Sequence, residues 1–305
     1  MFNLNNGLLS HLINNGTVEE GGSLHTALLF TFVAVTIVVA YLLGSINSAV
    51  LISRTLYKDD IRNHGSGNGG MTNMLRTFGL KAAGLTLLGD MLKTVLAITV
   101  AGVLLGFNYG GGISYNDGYC YIAGLFAVMG HVFPIYYGFK GGKGVLVTAT
   151  MALMLTPVPF LILLAIFALV VWLSRYVSLG SVCGAVLYPV VVTSYIKLFG
   201  APVPGLISLC TIIIAIFVVW CHRENLVRIS NRTERKLSFK KKDVEVQKVA
   251  VDNEAKASLT AAADDEVADI ENEAEASLAS ADDEAVDTEN EAADNGESLD
   301  EGDDE

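Results

Sequence analysis

Apolar residues in this chain fall into long runs separated by short, glycine-rich and basic connections. A bilayer core takes about 20 apolar residues of helix, and Thr26–Ser53, Ala82–Phe107 and Gly118–Phe139 each reach that length. Gly144–Leu173 is apolar for 30 positions, but Thr156-Pro157-Val158-Pro159 interrupts it. Proline removes an i to i−4 hydrogen bond, so this run predicts a short helix, a turn and a full span. Ser181–Ile196 and Val203–Trp220 are two further helices, separated by the turn formers Gly200 and Pro202. The pattern predicts an all-α, polytopic membrane protein with about seven transmembrane helices, two of them short. Its parts are an N-terminal extracytoplasmic segment (1–25), a membrane domain (26–242) and a disordered acidic tail (243–305).

Positive charge orients this bundle. Cytoplasmic loops collect Lys and Arg. Arg54–Lys81 holds five basic residues and Asn108–Asp117 none, after which come Lys140 and Lys143, Arg175, and the basic segment Arg223–Lys242. Seven helices place the N-terminus outside and the C-terminus in the cytoplasm. One unbroken helix over Gly144–Leu173 would put Arg175 outside and reverse the basic C-terminal segment.

The net charge of −12 belongs to the tail, since residues 243–305 carry 24 acids against Lys248 and Lys256 and leave the other 242 residues at +10. The tail loses its aromatics and repeats loosely as Asn253-Glu-Ala-Lys-Ala-Ser-Leu and Asn272-Glu-Ala-Glu-Ala-Ser-Leu. Such a segment buries too little apolar surface to fold alone. A hydrophobic share of 52% excludes an ordinary soluble domain. Cys120, Cys183, Cys210 and Cys221 sit in or beside apolar runs without metal-ligand spacing, and read as small buried residues. Glu19 and Glu20 precede the first apolar run, with no basic region before them, which argues against a cleaved signal peptide. No metal, cofactor or nucleic-acid partner is expected.

Three polar clusters carry the candidate chemistry. The first, Asp60 to Arg76, sets Gly65, Gly67, Gly69 and Gly70 among Ser66, Asn68, Thr72 and Asn73, so it offers backbone N–H groups to an anion, with Arg76 as a planar cation beside them. A flexible polar connection is the plainer reading. The second, Gly130 to Gly144, ends in Lys140-Gly141-Gly142-Lys143-Gly144 where the short helix begins, and a helix N-terminus with glycine amides and ammonium groups suits phosphate. It lacks the G-x-x-x-x-G-K-[ST] pattern, so ATP hydrolysis is not implied, and a positively charged turn is its plainer reading. The third joins Arg175-Tyr-Val-Ser178-Leu-Gly-Ser181 to His222-Arg-Glu-Asn225-Leu-Val-Arg228 and continues to Asn231, Thr233 and Glu234; His222 and Asn225 stand three apart, on one helical face. An interfacial histidine is the alternative there. The charge topology brings Ser66, Arg76, Lys140, Lys143, Ser178 and His222 to one membrane face, and this convergence favours an anionic substrate.

With these motifs in place, the sequence from about Tyr41 to Glu234 resembles the bacterial acyl-phosphate-dependent glycerol-3-phosphate acyltransferases. Gly44-Ser-Ile-Asn-Ser-Ala-Val-Leu-Ile-Ser-Arg54 and Gly89-Asp90-Met-Leu-Lys93 extend the match. Gly69 and Met71 stand where that family usually has Ile and Ala, and Asn47 where it has Pro. The resemblance implies transfer of a fatty acyl group from acyl phosphate to the 1-hydroxyl of glycerol 3-phosphate, giving lysophosphatidic acid and inorganic phosphate at the first step of phospholipid synthesis in the bacterial inner membrane. Its functional partner would be the enzyme that forms acyl phosphate. Carried over by motif, Ser66, Arg76, His222 and Asn225 are catalytic. Gly65, Gly67, Asn68, Thr72, Asn73, Lys140, Gly141, Gly142, Lys143, Gly144 and Ser178 bind substrate. Asp90 and Lys93, one helical turn apart, are expected to satisfy each other or a neighbouring helix, a structural role with substrate contact as the lesser alternative. None of the five histidines begins a His-x4-Asp pattern, so the leaving phosphate is a candidate proton acceptor. An anion transporter using Asp90 and Lys93, or a scaffold recruiting partners through its tail, are the competing classes.

Overall fold

The computed structural model describes residues 7–106 and 117–237. The expected tail at 243–305 and most of the loop Asn108–Asp117 lie outside the described residues. Among those described, α-helices follow one another without a strand: α1 (Gly7–Asn14), α2 (Ser23–Ser45), α3 (Ser48–Leu56), α4 (Met71–Thr77), α5 (Gly79–Leu105), α6 (Asp117–Val132), α7 (Val145–Leu155), α8 (Pro157–Ser174), α9 (Val177–Leu198), α10 (Gly205–Cys221) and α11 (Arg223–Ser230).

Five segments are long and apolar enough to cross a bilayer: Ser23–Leu56, Gly79–Leu105, Asp117–Tyr137, Pro157–Ser174 and Val177–Leu198. Gly205–Cys221 joined to Arg223–Ser230 across a 51° bend makes a sixth, and Val145–Leu155 is a shorter apolar helix. These match the seven expected apolar runs, with α7 (11 residues) and α10 (17 residues) short. Proline at the start of α8 separates it from α7, as the sequence predicts.

The first run differs from a single continuous helix. Ile46 and Asn47 take extended backbone, with ψ of 101° and 102°, and divide α2 from α3. A break at this depth leaves backbone groups without helical partners, and each must find another. The Asn47 side chain accepts a hydrogen bond from the Val50 N–H at 3.0 Å and caps α3. The Ile46 carbonyl accepts from the Lys93 ammonium at 2.8 Å. Lys93 also pairs with Asp90 at 2.8 Å, and Ser48 donates to Asp90 at 3.0 Å. The expected Asp90–Lys93 pairing is therefore present, and it extends to the helix break.

Helices approach closely where side chains are small, since lipid gives no hydrophobic drive for helices to associate. A side chain at Gly44 of α2 would strike the Ala127 backbone of α6, and one at Gly130 would strike the Tyr41 carbonyl. Leu80, Leu88, Trp172 and Leu198 lie on the exposed outer surface, as lipid-facing residues do. The buried core joins Tyr121, Val128, Met151, Tyr188, Val192, Ile207 and Ile214 from α6, α7, α9 and α10.

Two glycine substitutions test this packing. Gly44→Ala presses a methyl group into a backbone that cannot yield, and is expected to cost about 1–3 kcal/mol. Gly84→Ala in α5 meets nothing within 4 Å and is expected to be neutral or stabilising. Thermal midpoints in detergent decide the matter, and equal shifts for the two variants would sink the close-packing account.

Candidate active site

The three clusters meet around one cavity of about 390 Å³. Its polar end is lined by Ser66, Asn68, Thr72, Asn73, Arg76, Gly142, Lys143, Gly144, Ser178, His222 and Asn225. Leu146, Ala149, Phe160, Leu163, Phe167 and Tyr188, from α7, α8 and α9, line the apolar part.

Four expected contacts are placed elsewhere. Gly65 and Gly67 do not line the cavity, and both adopt positive φ, at 61° and 68°, turning the loop that carries Ser66. Gly141 packs directly under the His131 carbonyl, and Lys140 is exposed, so neither lines the cavity. Asn73 reaches the cavity, but its amide is spent on its own loop. Its Nδ2 donates to the carbonyls of Ile61, His64 and Asn68 at 2.9–3.1 Å, and its Oδ1 accepts from the Ser66 N–H at 3.1 Å. A long-range tie joins this loop to the second cluster: Arg62 donates to the Tyr137 carbonyl at 2.8 Å. Asp60 grips Arg62 and Arg54, each at 2.8 Å. The Arg62 hydrogen bond holds the Asp60 carboxyl well below the usual range, against the opposing effect of burial.

On the other wall, a chain of hydrogen bonds runs Lys143–Asn225–Glu234–Ser178. The Lys143 ammonium donates to Asn225 Oδ1, and Asn225 Nδ2 donates to Glu234 Oε1 at 2.7 Å. Ser178 donates to the same oxygen at 2.8 Å, while Arg228 Nε donates to Glu234 Oε2 at 2.9 Å. Burial opposes ionisation of Glu234, but hydrogen bonds from Asn225, Arg228 and Ser178 outweigh it and hold its pKa below the ordinary value. Burial lowers the Lys143 pKa, and the Arg228 charge adds to that. Burial lowers Arg76 in the same way, helped by Arg235.

His222 lies at the bend between α10 and α11 rather than inside one helix with Asn225. Both still line the cavity. Its Nδ1 lies 2.7 Å from the Val218 carbonyl, which can only accept, so the proton is on Nδ1 and Nε2 is the ring's acceptor when neutral.

Asp90, His131, Glu234 and Arg235 also line the cavity, beyond the residues expected from sequence. Spacing gives no sign of Glu234, whose partners at Ser178 and Asn225 are 56 and 9 positions away. His131 stands in the second motif, and its role becomes visible only as it meets Lys93 at 2.9 Å beneath Gly142. Among the described residues, no group of His, Cys, Asp and Glu is arranged to hold a metal ion.

Known proteins share this sequence and fold. The family model described as glycerol-3-phosphate acyltransferase matches residues 34–232. A glycerol-3-phosphate acyltransferase of Bacillus subtilis (strain 168) is 35% identical over 207 residues, covering 68% of this chain and 98% of that protein. One from Halalkalibacterium halodurans is 42% identical over 205 residues, 66% of this chain and 94% of its own. The crystal structure of PlsY, an integral membrane glycerol 3-phosphate acyltransferase, in its glycerol 3-phosphate form superposes with a TM-score of 0.58 at 30% identity, covering 68% of this chain and 96% of that one. Its lysophosphatidic acid form gives 0.57 at 29% identity. The matched stretch contains every segment that builds the polar end of the cavity from Ser66 to Asn225, and with a solved membrane fold behind it the chain belongs to the glycerol-3-phosphate acyltransferase family of integral membrane proteins.

Proposed function

We propose that this protein transfers a fatty acyl group from acyl phosphate to the 1-hydroxyl of glycerol 3-phosphate, at the cytoplasmic side of the bacterial inner membrane. The observation that carries this reading is the double character of the cavity. One cavity is lined both by Arg76, Lys143 and His222 and by apolar side chains of α7, α8 and α9. An acyl phosphate has the same two halves, and lysophosphatidic acid, which the solved relative binds, has them as well.

In the reaction, the hydroxyl oxygen of glycerol 3-phosphate attacks the acyl carbonyl carbon, the bond from that carbon to the phosphate oxygen breaks, and the hydroxyl proton passes to the departing phosphate. The products are lysophosphatidic acid and inorganic phosphate. Ser66, Arg76, Thr72 and the Gly142–Gly144 loop with Lys143 hold the phosphate groups. Asn225, fixed by Lys143 and Glu234, and His222 orient the reacting atoms, and Ser178 and Asn73 hold the walls. No carboxylate lies on His222 Nδ1, which bonds a backbone carbonyl instead. This arrangement supports positioning and charge stabilisation over a His-carboxylate base. Asp90 and Lys93 are engaged with each other, His131 and Ile46, which disfavours an open anion path. Residues 26–242 are the catalytic unit in this reading and 243–305 an appended tail. The acyl-phosphate-forming enzyme supplies the donor.

The donor is tested directly with purified protein in detergent. Palmitoyl phosphate is expected to yield lysophosphatidic acid and inorganic phosphate in equal amounts, and palmitoyl-CoA is expected to yield none. Equal rates with both would reject the acyl-phosphate assignment.

His222→Ala and His222→Gln separate positioning from base catalysis. Gln is expected to stay within about tenfold of the parent and Ala to fall further, with KM for glycerol 3-phosphate rising in both, whereas loss of a general base costs about 10²–10⁴ in kcat. A loss of that size in both variants at unchanged KM would assign the proton to His222.

The depressed pKa of Lys143 sets the alkaline limb. A lowered pKa means the ammonium discharges at lower pH than a free lysine, so kcat/KM is expected to fall before pH reaches the ordinary value of 10.5. Lys143→Arg keeps its charge throughout. Its rate is expected to be lower and its alkaline limb shifted upward, and an unmoved limb would exclude Lys143 as the titrating group.

A further inference from the structure

Asn47 is fully buried at the break between α2 and α3, and its side chain does two things at once. Its Oδ1 accepts from the Val50 N–H and caps α3, while its Nδ2 donates to the Gly69 carbonyl at 3.2 Å, across 22 positions of sequence. Gly69 lies between Asn68 and Gly70, in the loop that carries Ser66 and leads into the helix of Arg76. A Cβ on Gly69 would meet three atoms of one side chain, Asn47: Nδ2 at 2.8 Å, Oδ1 at 3.1 Å and Cγ at 3.2 Å. Gly69 is not in the left-handed region, so its backbone would accept alanine. The three atoms nearest that missing side chain all belong to Asn47, which cannot swing aside without giving up the cap.

We propose that Asn47 and Gly69 form an interlock that positions the glycine-rich loop over the cavity, which makes Asn47 a positioning residue for the phosphate-bearing substrate. Asn73 pins the loop from the cavity side, and Asn47 pins it from the bundle. The same Gly69 carbonyl oxygen faces the second loop, since a Cβ on Gly142 would come within 2.9 Å of it. The Asn47 tether therefore sets the spacing of both anion loops. The inference rests on the acyl-transfer reading for its assay.

Three variants test it: Asn47→Ser, Gly69→Ala and the double variant. Serine is a good N-cap, so it keeps the start of α3 while being too short to reach Gly69. The parent is first measured with palmitoyl phosphate and palmitoyl-CoA, so a wrong donor shows in the parent and a wrong interlock only in the variants. Asn47→Ser is expected to raise KM for glycerol 3-phosphate about fivefold, equivalent to one lost neutral hydrogen bond, with the thermal midpoint lowered by only about 2–4 °C. Gly69→Ala is expected to raise it about tenfold or more in the parent and to add nothing in the Asn47→Ser background. A Gly69→Ala protein that fails to accumulate, rescued by Asn47→Ser, supports the interlock equally. The proposal is overturned if Gly69→Ala has the same effect in both backgrounds or none in either. A fall in kcat that follows the thermal midpoint, with KM unchanged, also overturns it.

Discussion

An ammonium group buried among helices is tolerated only while its N–H groups find acceptors, and Lys93 finds three on three different segments. Asp90 Oδ1 lies at 2.8 Å within α5, the Ile46 carbonyl at 2.8 Å at the α2–α3 break, and His131 Nδ1 at 2.9 Å at the end of α6. Each acceptor alone would be a costly group in this position. Together they let the first span break with the Ile46 carbonyl paired, and the break is what brings Asn47 beneath the glycine-rich loop. His131 accepts on Nδ1, and Gly142 rests on its Nε2 edge, so the second anion loop sits on the same hub. Replacing Lys93 by an apolar residue would uncover an unpaired carboxylate and a backbone acceptor, the most damaging way to break a buried pair.

Glycine serves two separate ends in this chain, and the structure tells them apart. In the helices it removes bulk: Gly44, Gly124 and Gly130 each face a neighbour that a methyl group would strike. In the loops it supplies conformation, as at Gly65, Gly67 and Gly144, all with positive φ. Sequence alone groups the loop glycines as one phosphate cradle. Only Gly142 and Gly144 from the second motif, and Gly70 from the first, line the cavity, while Gly65 and Gly67 shape the backbone around Ser66.

The apolar runs were readable because membrane insertion leaves a simple record of length and charge, and the proline break before α8 is a local steric rule. The convergence of Ser66, Arg76, Lys143, Ser178 and His222 was readable because loop charge assigns each motif to one face. What stayed hidden depends on contacts between distant positions. Glu234 receives hydrogen bonds from Ser178, Asn225 and Arg228, and no spacing announces such a partnership. Asn47 and Gly69 stand 22 positions apart, and nothing in a linear reading says that the two touch. Its place in the motif puts Asn73 among the substrate contacts, yet folding spends its amide on the loop.

The short α7 ties these features to the chemistry. Eleven residues at about 1.5 Å each span roughly 16 Å, about half the hydrocarbon thickness. Lys143 and Gly144 at its start and Ala149 and Ala152 along it all line the same cavity. Glu234 then closes the polar end, joining Ser178 at the start of α9 to Asn225 on α11. Along one short segment the cavity lining thus passes from the charged Lys143 to the apolar Val145, Leu146, Ala149 and Ala152.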